Sequence, residues 1–273
     1  VIVMQGPTRA DLIRQVEWKD LVPMTRAEGV VECLHPLPWF ATSLALAHFG
    51  WIAAALPCSF MFFLTALRLN HEAIHHNLGF AAGAHRLVLH GLSAVMLGSN
   101  HAVAWNHLRH HRHIGEAQDL EGKAGRMGLW QVLFYGPVFA FETLQDAWRN
   151  GTVKNRRTIA IDLALNLALP LLALTLASEA LVYHLVIMVG AQCMTAFFAV
   201  WITHHGCEDK GTLVARTQRG WWINMISYNM FYHLEHHTFP AVPVKRLSEL
   251  ALRLDHAFPQ IAKSTLRVLP EGG

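Results

Sequence analysis

Two stretches of the sequence, 27–67 and 158–209, contain no lysine or arginine, and they hold its longest apolar runs. Charged residues make up about a quarter of an ordinary soluble chain; here they are 15%, against 53% hydrophobic. Such a chain reads as an all-α integral membrane helical bundle, since a crossing helix needs about 20 apolar residues. We expect about four transmembrane helices. Residues 37–69 read as a tight helical hairpin turning near Gly50 to Pro57, with the second arm running on through His71 to His76; a single tilted helix kinked at Pro57 is the alternative. The clearest spans are 158–177 and 181–203, joined by so short a connector (Ser178, Glu179, Ala180) that they must be antiparallel neighbours. Pro170 predicts a kink. Asp162 and Asn166 share one helix face and are expected to pack against other helices.

The rest of the chain is more polar, and the whole reads as a single membrane domain. Residues 1–36 form an N-terminal interfacial arm, with Asp11 to Asp20 a short surface helix; they do not read as a cleavable signal peptide. The hairpin section is 37–76. Section 77–157 holds a Gly-, Ala- and His-rich re-entrant or interfacial stretch, 78–104, and an interfacial helix, 129–144, broken at Gly136-Pro137. Section 158–203 is the transmembrane pair. In section 204–273, Pro240 and Pro243 should stop a helix. There Leu247, Leu250, Ala251 and Leu254 recur at helical spacing and predict an amphipathic cap. Sixteen of the 22 Lys and Arg lie in 105–157 and 204–273, which predicts that both face the cytoplasm, with a bacterial inner membrane as the expected location. No basic stripe with interleaved aromatics suggests nucleic acid. Four scattered cysteines without CxxC spacing exclude a disulfide framework.

Most of the 19 histidines fall in clusters. His107, His110 and His111 are spaced i, i+3, i+4, as are His233, His236 and His237, so each set shares one helix face. A third cluster offers His71, His75 and His76. Neutral imidazole suits iron, zinc, copper and nickel. Two crossings separate the first two clusters from the last, so all three can meet on one side. His71 and His75 with the six others make eight ligands, and His204 or His205 adds a ninth. Nine are too many for one ion and suit two, with four or five nitrogens each. An all-nitrogen set favours a redox metal such as iron over magnesium or calcium, which want oxygen; structural zinc wants four ligands, often thiolates.

With its boxes at His71-x-x-x-His75, His107-x-x-His110-His111 and His233-x-x-His236-His237, the chain resembles the membrane fatty-acid desaturase and hydroxylase superfamily over roughly residues 40–255. Box two continues through Gly115 and Asp119, and the run from Asn229 to Pro240 is similar to that of bacterial acyl-lipid desaturases. The resemblance implies a di-iron centre bound by the box histidines and one further ligand, which maps to His204 rather than His205. It also implies O2 as co-substrate and a lipid or other apolar acyl substrate. Some members hold a water through an Asn four residues before the extra histidine; Val200 stands there instead. No haem-binding or ferredoxin-like segment is present, so a separate ferredoxin- or cytochrome-type electron carrier is implied. The expected reaction is introduction of a double bond into an acyl chain. The alternative is a hydroxylase or ketolase of the same superfamily acting on a carotenoid or other apolar lipid, some of which share this short length.

Other readings remain open at this level. His71-Glu72-x-x-His75 also spells the HExxH of zinc metalloproteases, with Glu as general base, but that leaves both HxxHH boxes unused. A metal transporter would carry its ligands in broken helices at mid-membrane, whereas these clusters lie beyond the helix ends. Asn229, one turn before His233, is expected either to hydrogen-bond a ligand or line the channel, or to serve in structural packing. Asp119 and Glu235 are the candidate carboxylates to orient a ligating imidazole. His76 is expected beside the ligands, His113 beside them or in solvent, and His35, His48, His90, His184 and His256 in structural roles, with His85 and His101 outside the ligand set. Trp105, Trp221 and Trp222 are expected as interface anchors.

Overall fold

The computed structural model describes residues 7–208 and 211–268; residues 1–6 of the arm, and 209–210 and 269–273 of the last section, lie outside them. The described residues form helices and no strand, with one isolated bridge between Thr217 and Arg267. Helices α1 (Arg9–Gln15) and α2 (Arg26–Leu34) each open on a threonine capping box, Thr8 with Asp11 and Thr25 with Glu28, which satisfies amide donors at the helix start.

The expected hairpin is present as two helices, α3 (Pro36–His48) and α4 (Ile52–Ile74). Gly50 makes the turn at φ +75°, a conformation open to glycine without a Cβ penalty. Pro57 sits near the start of α4 and does not end it. Three helical stretches are long and apolar enough to cross a membrane: Arg26–His48, Ile52–Ile74 and Val153–Thr175.

The re-entrant expectation for 78–104 corresponds to α5 (Ala82–Met96) and α6 (Asn100–His113), which meet at 116°. A chain that breaks among apolar helices must still satisfy its backbone groups. Asp162 does so here. It accepts from Ser99 Oγ (2.8 Å), His101 N (3.1 Å) and His90 Nδ1 (2.6 Å), while Ser99 Oγ in turn accepts from Ala102 N. Asp162 thus packs against other helices, and His90 and His101 are its structural partners.

Two expectations are corrected. Beyond α7 (Leu120–Gly125), α8 (Leu129–Asn150) runs straight through Gly136-Pro137, where a break was expected. The glycine serves a helix crossing instead: a Cβ there would stand 1.6 Å from Cys193 O. The second expected span, 181–203, is bent. Helix α9 (Val153–Leu165) and α10 (Ala168–Thr175) form one crossing stretch; α11 (Glu179–Cys193) is followed at 43° by a π-helical segment, Ala196–Trp201, and the short α12 (Ile202–His204).

The remaining helices are α13 (Trp221–Ile226), α14 (His233–Thr238), α15 (Leu247–Ala257) and α16 (Pro259–Ser264). As the prolines require, α14 stops before Pro240. Leu247, Leu250, Ala251 and Leu254 are buried with Leu12 and Leu234 in one core, so α15 and α1 clamp the third histidine box from behind. Trp221 and Trp222 are exposed, whereas Trp105 donates to Asp146 (3.2 Å) and faces Arg109.

Candidate metal centre

Four elements carry the histidines. The last turn of α4 presents His71 and His75; α6 presents His107, His110 and His111; α12 ends on His204; α14 presents His233, His236 and His237. The structure brings all nine together through their Nε2 atoms. In one group His71–His236, His236–His111, His111–His107 and His107–His75 lie 2.9, 3.0, 3.2 and 3.1 Å apart. In the other, His110–His204, His204–His233 and His233–His237 lie 3.2, 3.0 and 3.1 Å apart. The nine therefore divide five and four.

These spacings fit a metal. With a metal–nitrogen bond of about 2.1 Å, ligands at right angles sit roughly 3.0 Å apart and tetrahedral ones roughly 3.4 Å. His110 Nδ1 faces Asp119 Oδ1 at 2.8 Å and His204 Nδ1 faces Val214 O at 2.9 Å. Where both rings are neutral, their Nε2 atoms present lone pairs across 3.2 Å. A cation between them relieves that opposition. So would a second proton on His110, since burial of that ring is outweighed by Asp119 and Glu121, which raise its pKa above the usual imidazole value. Burial, followed by the neighbouring imidazoles, holds His233, His236 and His237 well below the usual imidazole pKa, which keeps them in the neutral, ligating form.

Asp119 takes the expected orienting position. Buried, it accepts from His110 and from the amides of Gly122 (2.8 Å) and Gly115 (3.1 Å). Burial works against its ionisation, but these bonds outweigh it and leave its pKa below the usual carboxylate value. The second orienting carboxylate is Glu121, which the sequence reading missed: its Oε2 lies 3.1 Å from His107 Nδ1. Its only signal was that it follows box two in the acidic run with Asp119. Glu235 is elsewhere engaged, ion-paired with Arg219 (2.7 Å) and accepting from Thr217 Oγ1 (2.7 Å).

His205 stacks on Trp201 and donates from Nδ1 to Gly125 O (3.1 Å), so it turns away from the cage that His204 joins. His76 stacks on His85, apart from the cage, and His113 meets Glu116 and Gln118 at the surface. Asn229 sits in a left-handed turn with Tyr228 (φ +65° and +51°) and is not among the residues lining the cavity. That turn is tied to α4, because Arg68 pairs with Glu32 and donates to Tyr228 O (2.9 Å). Glu72, the general base of the protease reading, accepts from Val244 N (3.1 Å) instead.

A cavity of about 450 Å³ reaches His71, His107, His233 and His236. Leu64, Leu67, Met96, Phe198, Ile223 and Ile226 give it apolar walls. No curated protein matches the chain. The family model described as fatty acid desaturase matches residues 46–267, taking in all three boxes and His204. On that match, and with the three boxes closing into one cage, the chain belongs to the fatty acid desaturase family.

Proposed function

We propose that this protein introduces a double bond into a lipid acyl chain, using O2 and two iron ions held by the nine histidines. Family membership makes it a membrane oxidoreductase of desaturase or hydroxylase type. The acyl substrate, the iron pair and the desaturation outcome are our reading. The observation that carries it is the largely apolar cavity bordered by rings of both histidine groups, His71, His107 and His236 of the five and His233 of the four. An apolar chain lying there would have its carbons beside the cage and its length against leucine, methionine and phenylalanine.

Five and four imidazoles exceed what structural zinc takes and suit a redox metal with open positions. When bound, the iron pair would supply reductive activation of O2, which an unactivated C–H bond requires. The balance is one O2, two hydrogens from the substrate, two electrons and two protons, giving one alkene and two waters. An external ferredoxin- or cytochrome-type carrier supplies the electrons. The protein's own residues do the positioning. Asp119, Glu121 and Val214 O hold protons at Nδ1 of His110, His107 and His204, so the opposite nitrogens face inward. The cavity walls exclude water and align the chain. The basic loops that carry boxes two and three support a cage on the cytoplasmic side of a bacterial inner membrane.

The test is expression in a host lacking the enzyme, followed by lipid extraction. A new double bond is expected; a new hydroxyl or keto group would replace desaturation with the alternative chemistry. His236→Ala should abolish product and lower bound iron, and full activity in that variant would overturn the ligand assignment.

A further inference from the structure

A second cleft borders the cage. It has a volume of about 260 Å³, is bordered by His110 and His204, and shares no lining residue with the apolar cavity. The cavity touches three rings of the five-histidine group and His233; the cleft touches only the four-histidine group. Their walls also differ in chemistry. Gly115, Gly122, Gly125 and Gly206 line the cleft with backbone, and Arg126 and Glu208 stand exposed beside it. At two of these glycines a side chain is sterically disfavoured. A Cβ on Gly125 would stand 3.1 Å from His204 Cβ, and one on Gly122 would stand 2.2 Å from Asp119 Oδ2.

We propose that this cleft is the water-side port of the metal centre, exchanging water and small anions at the four-histidine group while lipid fills the cavity. The idea rests on the cage being a metal centre, and the proposed reaction creates the need for it. Each turnover releases two waters, and an acyl chain filling the cavity leaves them little room there, although Asn70, Thr143 and Asn166 stand in its wall. The cleft offers room and partners: peptide groups, the three charged side chains Asp119, Arg126 and Glu208, and volume for several waters at about 30 Å³ each. It is too polar to compete for the acyl chain, so the two routes do not interfere.

Azide tests the port, because its binding to a ferric or cobalt(II) centre is read from the visible spectrum without turnover. Ile114 and Glu208 line the cleft and are not in the cage. Ile114→Trp and Glu208→Trp should each slow azide association by roughly tenfold or more, with metal per chain unchanged. Leu67→Trp, in the wall of the other cavity, should leave the azide rate unaltered. Unchanged rates in both rim variants, or slowing by Leu67→Trp instead, would overturn the port. Using the cobalt(II) protein separates this from the oxygen chemistry: rim-controlled azide binding there, with no lipid product from the iron-loaded enzyme, would sink the proposed reaction and leave the port standing.

Discussion

At the scale of single residues, the carboxylates behind the cage separate two kinds of buried acid. Asp119 and Glu121 face ligating rings, whereas Glu235, next to His236 in sequence, faces Arg219 and Thr217. Asp119→Asn keeps the shape but accepts less well from His110 Nδ1, so metal affinity should fall by about 10- to 100-fold. Chelator competition measures it. Glu235→Gln should behave in the opposite way. It removes one of the two carboxylates on Arg219, which keeps its paired bonds to Asp255; the unfolding midpoint should drop by less than a fully broken buried pair, at about 3–5 kcal/mol, implies, while metal affinity holds. If Glu235→Gln weakened metal binding as Asp119→Asn does, the assignment of roles would be wrong. The sequence carried Asp119 in this role and missed Glu121, because both lie outside the periodic box and their direction depends on how α7 folds back onto α6.

At the scale of helices, two local irregularities set the geometry. The π-helical segment Ala196–Trp201 precedes His204. Its wider turns retard the downstream residues by about one position, roughly 100° of rotation. The consequence is that His204 faces the cage while His205 stacks on Trp201. The other irregularity is the crossing of α8 and α11 at Gly136. Because an added Cβ would meet Cys193 O at 1.6 Å, Gly136→Ala should destabilise the fold by about 1–3 kcal/mol or more. Gly190→Ala, at a position on α11 with nothing within 4 Å, is the matched control and should unfold like the parent. Thermal unfolding in detergent compares them. Gly-Pro in a helical pattern reads as a stop, yet here α8 continues, since tertiary packing on both sides outweighs one lost backbone hydrogen bond.

At the scale of the whole molecule, the cage is where the chain closes on itself. His71 of α4 meets His236 of α14 across 165 residues, and His110 of α6 meets His204 across 94. A metal bound only by the folded form adds RT ln(1 + [L]/Kd), about 4 kcal/mol at a thousandfold excess over Kd. Stripping the metal should therefore lower the unfolding midpoint of the whole bundle, and re-adding ferrous iron anaerobically should restore it. An unfolding transition insensitive to metal would show that the helices, and not the ions, hold the boxes in register.

What the sequence determined by itself was the membrane-spanning helical class, the three boxes and the number of candidate ligands. Those rest on short-range rules: hydrocarbon thickness sets span length, and helical spacing puts residues i, i+3 and i+4 on one face. Only the tertiary structure decided that the nine rings divide five and four, that Glu121 stands behind His107, that His205 turns away, and that a largely apolar cavity and a separate cleft both border the cage. Each depends on which way a side chain points relative to a helix far along the chain, and the periodicity of one helix carries no information about its neighbour.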